Sequence, residues 1–226
     1  MPTDPLKLVE ALLKAHMHEG DRSPGTRPLI TISRDYGSGG REISTVLAKR
    51  LAVPVYDREL LNAVIERSGA DPHLMEKLDE KTRGFWDSWI ISILSGENVL
   101  EENYLRHLIK VVLGILNTGD GGILIGRGAH LILAKQDVLR VRITASPEIC
   151  AERIALGRKI SLEEARKEAL RVNDGRAKFV WDVFRKRLND PTAFDLTINT
   201  DHLNKYDEVA EIIIFAMQYH HHRNNT

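Results

Sequence analysis

The feature that most constrains this chain is a glycine-rich segment placed directly after a short apolar run. The run Leu29-Ile30-Thr31-Ile32-Ser33 is rich in β-branched residues, and the segment Gly37-Ser38-Gly39-Gly40-Arg41-Glu42-Ile43 leads from it into an amphipathic stretch. A strand, a glycine-rich turn and a helix in this order are typical of a loop that binds phosphate. Glycines let backbone N–H groups crowd around an anion, and the helix points its positive end at the same place. The pattern favours phosphate binding over a tight turn with a purely structural role.

The end of this loop departs from the usual signature. That signature closes with Gly-Lys-Ser/Thr, in which the lysine contacts the phosphates and the hydroxyl contacts Mg²⁺. Here Arg41 and Glu42 are assigned to those two places, after Gly40. Arg41 can still neutralise phosphate through its planar guanidinium. Glu42 would repel phosphate unless a metal ion lies between them or the side chain turns away as a first-turn helix residue.

Beyond residue 28, short apolar runs alternate with segments of helical spacing. The spacing predicts strands over 29–33, 53–56, 122–126, 139–144 and 195–199, and helices over 42–51, 58–67, 101–116, 147–156 and 162–171. Short strands rich in Val and Ile, with helices between them, indicate an α/β fold whose parallel sheet is covered on both faces. We therefore expect one main domain over residues 29–226.

Two further segments lie outside this alternation. Residues 1–28 read as a helix and a linker, an extension that could serve in dimerisation, in docking or in covering the core. The stretch between the second and third strands is too long for a simple crossover, and it predicts a helical insertion over residues 71–118. Trp86 and Trp89 are expected in the core of that insertion.

Polar residues follow the second and third predicted strands. Asp57 and Arg58 come after one, and the bracketed arginine of Gly126-Arg127-Gly128 comes after the other. Ligands of open α/β sheets bind at the carboxyl ends of the strands, so these residues are candidates for holding an acceptor. Asp57 could equally cap the next helix. His130 is expected to pack or to face solvent rather than to act as a base.

Several arginines follow the fourth predicted strand. Arg153, Arg158 and Arg176 are candidates to lie over a phosphate chain, because phosphoryl transfer needs positioning and charge neutralisation more than covalent help. Arg166 and Arg171 are expected on a solvated helix face carrying ion pairs such as Glu163–Lys167. This region, residues 157–190, is the predicted lid.

Composition excludes several classes of protein. Lys and Arg together number 32, as do Asp and Glu, and this balance argues against a bulk nucleic-acid binder. The chain holds 1 cysteine, so it forms no internal disulfide. Cys150 is expected to be a packed helix residue in a protein of a reducing compartment. No apolar stretch approaches the length of a membrane span. We expect a cytoplasmic protein that binds neither membrane nor nucleic acid.

Taken together, these segments resemble the cytidylate-kinase-like family of P-loop nucleoside monophosphate kinases. The resemblance covers about residues 29–212, and its motifs are residues 30–43, Tyr56-Asp57-Arg58-Glu59-Leu60, Ile125-Gly126-Arg127-Gly128-Ala129 and Phe194-Asp195-Leu196-Thr197-Ile198-Asn199-Thr200. It implies a three-layer αβα fold with a five-stranded parallel sheet, a helical acceptor-binding insertion and a mobile lid.

The resemblance also implies an activity and a set of site residues. ATP with Mg²⁺ would be the phosphoryl donor, and CMP or dCMP the acceptor. Residues of the loop would cradle the donor: Gly37, Ser38, Gly39, Gly40, Arg41, Glu42 and Ile43. Asp57, Arg58 and Arg127 would lie near the acceptor. Arg153, Arg158 and Arg176 would act with Arg41 on the transferring phosphate.

Two alternatives remain open beside this kinase. The missing lysine and hydroxyl, together with the N-terminal extension, would also suit a nucleotide-binding regulatory protein without catalysis. A kinase of some other small acceptor could use the same scaffold, because a fold does not determine a substrate.

Overall fold

The computed structural model describes residues 27–70, 99–203 and 205–223. Its strands are β1 (Leu29–Arg34), β2 (Val55–Tyr56), β3 (Gly122–Ile125), β4 (Leu139–Thr144) and β5 (Leu196–Asn199). Its helices are α1 (Gly40–Leu51), α2 (Arg58–Ala70), α3 (Val99–Thr118), α4 (Ala129–Ile132), α5 (Pro147–Arg158), α6 (Leu162–Phe184) and α7 (Tyr206–Arg223), with one 3₁₀ turn at Pro191–Ala193. The predictions for residues 1–26 and 71–98, Trp86 and Trp89 included, lie outside the described residues.

The five strands form one parallel sheet in the order β2-β3-β1-β4-β5. Strand β1 is central, and Ile32 on it pairs with Ile125 of β3 and with Val141 of β4. The sequence prediction of a five-stranded parallel sheet is therefore confirmed. All five carboxyl ends lie along one edge, as parallel pairing requires.

Helices cover the two faces of the sheet and produce three layers. Successive strand residues point to opposite faces, so Leu124 packs with Val112 of α3 on one side, whereas Ile123 packs with Leu47 of α1 and Ile213 of α7 on the other. All five of these side chains are fully buried. The αβα architecture predicted from the sequence is confirmed. Of the helices that the structure describes, none is both long enough and apolar enough to cross a membrane.

Among the element boundaries that differ from the sequence predictions, those of α6 and β2 have a clear physical reason. Helix α6 begins at a capping box formed by Ser161 and Glu164, but it continues to Phe184 instead of ending near residue 171. Val180 and Phe184 in its last turns pack into the core of the sheet, and this burial outweighs the weak helical character of the polar stretch before them. Strand β2 contains only two residues, because Pro54 has no N–H to donate to the ladder.

Asp195, just before β5, carries a testable pH dependence. Its Oδ2 accepts bonds from Arg140 N and Nε, both 2.9 Å, and its Oδ1 accepts one from Nη2 at 2.6 Å. Burial opposes ionisation, but the bonds to Arg140 outweigh it and lower the pKa of Asp195. A lowered pKa in the folded state stabilises the fold above the unfolded value of about 4, and that contribution is lost as the pH falls through the folded pKa.

We expect Asp195→Asn to lower the free energy of unfolding by about 1–2 kcal/mol at pH 7, and by less at pH 3. Urea unfolding at both pH values measures the difference. Asp207→Asn is the control, because Asp207 forms an ion pair with Arg50 at the surface and its side chain is 69% exposed. It should change stability by less than about 0.5 kcal/mol. An equal effect of Asp195→Asn at both pH values would contradict the assignment.

Candidate active site

One large cleft lies along the carboxyl edge of the sheet. Its lining includes the glycine-rich loop after β1, the residues that follow β2 and β3, and one side of α6. Its volume is about 1740 Å³. Sites for one small molecule usually measure about 300–1,000 Å³, so this cleft has room for two ligands side by side.

The glycine-rich loop adopts a backbone that only glycine enters easily. Gly37 has φ +92° and Gly39 has φ +78°. A Cβ at Gly37 would lie 2.6 Å from the carbonyl oxygen of Cys150 in α5. Gly39 is the N-cap of α1 and offers no side-chain cap, so the first N–H groups of the helix remain free of a capping side chain. The side chains of Ser38 and Ile43, both part of this segment, are buried.

Hydrogen bonds hold the loop to β4. Ser38 Oγ donates to the carbonyl oxygens of Asp35 (2.9 Å) and Ile143 (3.2 Å). The carboxylate of Asp35 accepts bonds from Arg142 Nη2 and from Thr144 Oγ1, both 2.5 Å. These contacts determine where the backbone N–H groups of the loop lie before any ligand arrives.

Arg153 belongs to this support. Its Nη1 donates to Thr200 Oγ1 at 2.9 Å and its Nη2 to the Thr200 carbonyl at 2.7 Å. Thr200 Oγ1 in turn donates to the carbonyl of Ser38 at 2.9 Å. Arg153 lines the cleft, but its guanidinium is bonded to the chain that carries the loop.

Arg34, the last residue of β1, is a site residue that the sequence analysis did not single out. Its side chain passes over Gly40, where a Cβ would lie 2.6 Å from Arg34 Cβ, and its Nη1 approaches Gly126. Burial, together with the charge of Arg176, lowers the pKa of Arg34 to about 9.

A signal existed in the spacing of the pattern G-x-x-x-x-G-K. Gly39 is the N-cap of α1 and fits the second glycine, so Arg34 replaces the first glycine and Gly40 replaces the lysine. This register corrects the sequence assignment of Arg41 and Glu42 to the lysine and hydroxyl places, because Arg41 lies one position later, at the place of the hydroxyl.

Arg127 lies after β3 in a strained backbone. It has φ +52° between Gly126 at +76° and Gly128 at +68°. Its guanidinium carbon stacks 4.8 Å from the ring centre of Phe179 and 5.8 Å from that of Tyr104. Its Nε is buried, and no hydrogen-bond partner for it occurs in the described parts of the chain. Burial lowers the pKa of Arg127, which is what a cation prepared for an anion would show.

Asp57 and Arg58 lie at the start of α2, on the same side of the cleft. Asp57 Oδ1 accepts a bond from Leu60 N at 3.0 Å, so it caps the helix, as one of its two sequence interpretations expected. Arg58 is exposed and bonds Glu59 at 2.8 Å. Burial opposes ionisation of Glu59, but hydrogen bonds from its own backbone and Arg58, with the charges of Arg58 and Arg41, lower its pKa. Arg41 itself is exposed on the first turn of α1.

Helix α6 closes over the loop from the other side. Tyr36 N donates to Asn173 Oδ1 at 2.9 Å, and Tyr36 OH donates to Glu168 Oε1 at 3.1 Å. Arg176 Nη1 donates to the carbonyl of Arg34 at 2.9 Å. Arg158 pairs with Glu168, and its bonds to Tyr36 and Glu168 raise its pKa. Both predicted lid arginines therefore lie beside the loop, Arg176 against the end of β1 and Arg158 against Tyr36 and Glu168.

His130 and Cys150 are packing residues, as the sequence predicted. The His130 ring stacks on Phe194 with 4.6 Å between ring centres, and burial lowers its pKa to about 3. Cys150 is buried in α5, and burial raises the pKa of its thiol to about 11. Neither group carries a charge at neutral pH.

The donor set of the cleft suits phosphates and an accompanying Mg²⁺. Glycine backbone and several arginines face the space that phosphates would fill. Mg²⁺ generally takes one or two carboxylates and completes its octahedron with phosphates and waters. Glu42 is the loop carboxylate on the cleft, and within the described ranges no group of three His, Cys, Asp or Glu could hold a metal ion.

Comparisons with known proteins agree with this geometry. The chain is 30% identical over 184 residues to a shikimate kinase from Limosilactobacillus fermentum, an alignment covering 81% of this chain and 92% of the relative. Its fold matches that of an uncharacterized protein from Eubacterium ventriosum with a TM-score of 0.68 and 18% identity, over 85% of this chain and 99% of the other. Residues 29–202 match the model of the cytidylate kinase-like family. The chain belongs to the cytidylate kinase-like family.

Proposed function

We propose that this protein transfers the γ-phosphoryl group of ATP to CMP or dCMP. The observation that carries the proposal is a set of incompletely compensated arginines at one edge of a cleft large enough for two ligands. Burial lowers the pKa of Arg34, Arg127 and Arg176 together. Positive charge gathered at this density is stabilised when phosphates enter, and phosphoryl transfer needs such neutralisation above all.

In the proposed reaction the donor phosphates lie on the loop of residues 37–43, and the phosphate of the acceptor lies against Arg127 and Arg58. An oxygen of the acceptor phosphate attacks the γ-phosphorus, and the bond from that phosphorus to the bridging oxygen breaks. ADP leaves and a nucleoside diphosphate forms. Mg²⁺ bound to the ATP phosphates would neutralise charge as it develops on the leaving oxygen.

The arginines on the lid side would neutralise the charge of the transferring phosphoryl group. Arg176, already bonded beside the loop, is placed to contact the transferring group. Arg153 and Arg158 are bonded to Thr200 and Glu168 in the structure, so they would have to exchange partners to reach phosphate. We propose that residues 157–190 act as a lid and that residues 71–118 help to bind the acceptor. We place the reaction in the cytoplasm, which suits both substrates.

A second acceptor class is favoured by one observation. The relative with 30% identity is a shikimate kinase, an enzyme named for an acceptor that carries no phosphate. Transfer to a hydroxyl of such an acceptor would require a group to accept its proton. Asp57 and Glu59, at the start of α2, are carboxylates of the described chain on that side of the cleft. Arg127, whose buried Nε has no hydrogen-bond partner among the described residues, favours an acceptor with its own phosphate instead.

A coupled assay of ADP release distinguishes these acceptors. The protein would be mixed with ATP and Mg²⁺ and supplied in turn with CMP, dCMP, UMP, AMP, GMP and shikimate. We expect turnover with CMP or dCMP at least about tenfold above the other acceptors. Faster turnover with shikimate than with any nucleotide would show that the acceptor belongs to the second class. Binding of nucleotide without turnover of any acceptor would contradict the kinase and favour the regulatory alternative.

Arg41→Ala tests the assignment at the exposed rim of the loop. Because Arg41 lies in water, its contact with phosphate should be screened, and we expect ATP to bind about 3- to 10-fold more weakly. Titration calorimetry at low and high salt measures this loss, which should shrink as salt rises. Unchanged ATP affinity at low salt would remove Arg41 from the site.

A further inference from the structure

We propose that Arg34 is the phosphate-binding cation of this loop, replacing the lysine that is missing from it. Its guanidinium crosses from the end of β1 over Gly40 and contacts the phosphate chain between the loop and Gly126. That these phosphates belong to ATP rests on the proposed function. The contact between Arg34 and phosphate does not depend on which acceptor follows.

The first support is that the Arg34 side chain occupies the space that a side chain at position 40 would need. Helix α1 begins at Gly40, and a side chain there would start 2.6 Å from Arg34 Cβ and 2.9 Å from Arg34 Cγ. The volume that a lysine stem would occupy is therefore already filled by the Arg34 stem. Position 34 carries the long cation and position 40 carries no side chain, the reverse of the usual G-x-x-x-x-G-K order.

The second support is that the Arg34 guanidinium is largely buried and lacks a side-chain partner in the described chain. In the described parts of the chain, no hydrogen bond or ion pair joins it to a side chain, although Asp57 and Glu59 are near enough to act on it electrostatically. Burial and Arg176 both disfavour its charge. A half-buried cation without a partner destabilises an empty protein and is stabilised by an incoming anion.

The third support is the close approach of the Arg34 guanidinium to Gly126. A Cβ at Gly126 would lie 2.6 Å from Arg34 Nη1, so the guanidinium fills the gap between the ends of β1 and β3. Gly126 precedes Arg127, the proposed acceptor contact. Arg34 consequently lies between the donor loop and the acceptor side, where the transferred group would pass.

The experiment is a set of titrations on the full chain with ATP and Mg²⁺ and, separately, with inorganic tripolyphosphate. The variants are Arg34→Met, Arg34→Lys, Gly40→Lys, Arg34→Gly and the double variant Arg34→Gly with Gly40→Lys. Lys167→Met is the control, because Lys167 is an exposed cation that does not line the cleft. A melting curve accompanies each variant.

We expect Arg34→Met to weaken the binding of both ligands about 10- to 100-fold. Its melting temperature should stay equal or rise, because a buried cation without a side-chain partner in the described chain has been removed. Arg34→Lys should bind with intermediate affinity, and Lys167→Met within about twofold of wild type. Gly40→Lys alone should bind poorly, because its new side chain meets the Arg34 stem. The double variant should bind at least about tenfold more tightly than Arg34→Gly, since it restores a cation on the usual side of the loop.

The proposal is overturned if Arg34→Met binds both ligands within about threefold of wild type, if its loss of affinity comes only with a lower melting temperature, or if the double variant binds no better than Arg34→Gly. Failure of the proposed function gives a different pattern. A wild-type protein that binds ATP and tripolyphosphate through Arg34, yet transfers phosphoryl to no acceptor, would end the kinase proposal and leave this one standing. A wild-type protein that binds neither ligand would end both.

Discussion

Gly37→Ala should weaken the binding of ATP by at least about 100-fold and lower the free energy of unfolding by about 2–4 kcal/mol. The residue has φ +92°, and a Cβ there would lie 2.6 Å from the carbonyl oxygen and 2.8 Å from the Cα of Cys150. Both atoms are backbone of α5, so neither can rotate away. The loop itself must move, and a shift of about 1 Å takes its N–H groups away from the phosphates.

Two other glycines provide controls for this result. A Cβ at Gly39 would meet the ring of Tyr206 at 2.4 Å, and a ring can move, so Gly39→Ala should reduce affinity less than Gly37→Ala. Gly157 in α5 has no heavy atom within 4 Å of its added Cβ, and Gly157→Ala should stabilise the protein by about 0.5–1 kcal/mol. Calorimetric titration and urea unfolding measure all three. Wild-type affinity and stability in Gly37→Ala would show that the loop is not held against α5 as described.

Arg127→Ala should raise the KM for the acceptor about 100-fold and change the affinity for ATP by less than about threefold. The guanidinium is held over Phe179 with its Nε buried and without a partner in the described chain, so it is prepared for one specific anion. Steady-state kinetics with CMP and separate ATP titrations measure the two effects.

Arg127→Lys refines this test. Lysine keeps the charge but loses the planar fork and the stacking on Phe179 and Tyr104, so it should recover only about tenfold of the loss. A loss confined to ATP binding would mean that the donor and acceptor sides have been exchanged. Full recovery by lysine would mean that charge alone, without the geometry of the fork, binds the acceptor.

The strands and their order along the chain were predictable because most of them are short segments rich in Val, Ile and Leu that alternate with segments of helical spacing. Strand β4 was predicted to the residue, at Leu139–Thr144. The end of α6 was not, because Asn173-Asp174-Gly175-Arg176 is a poor helical sequence taken alone. It is helical here because Val180 and Phe184 beyond it pack on the sheet.

The site was predictable where the sequence pattern is local. Arg127 was predicted because it directly follows β3, and Arg176 because it belongs to the run of arginines after β4; the structure brings both to the cleft. Arg34 was overlooked because its meaning depends on Gly40 and Gly126, which approach it only after folding. The bond from Tyr36 N to Asn173 joins residues 137 positions apart, a separation across which local patterns carry no information.

The most direct test of the account follows the phosphoryl group itself. The full chain would be incubated with ATP labelled in its γ-phosphate, Mg²⁺ and CMP or dCMP, and the products would be separated. We expect the label to appear in CDP or dCDP in step with the formation of ADP, and to appear about 100-fold more slowly with Arg127→Ala at low acceptor concentration. Label that remains in ATP, or that appears only as inorganic phosphate, would contradict transfer to a nucleoside monophosphate in this cleft.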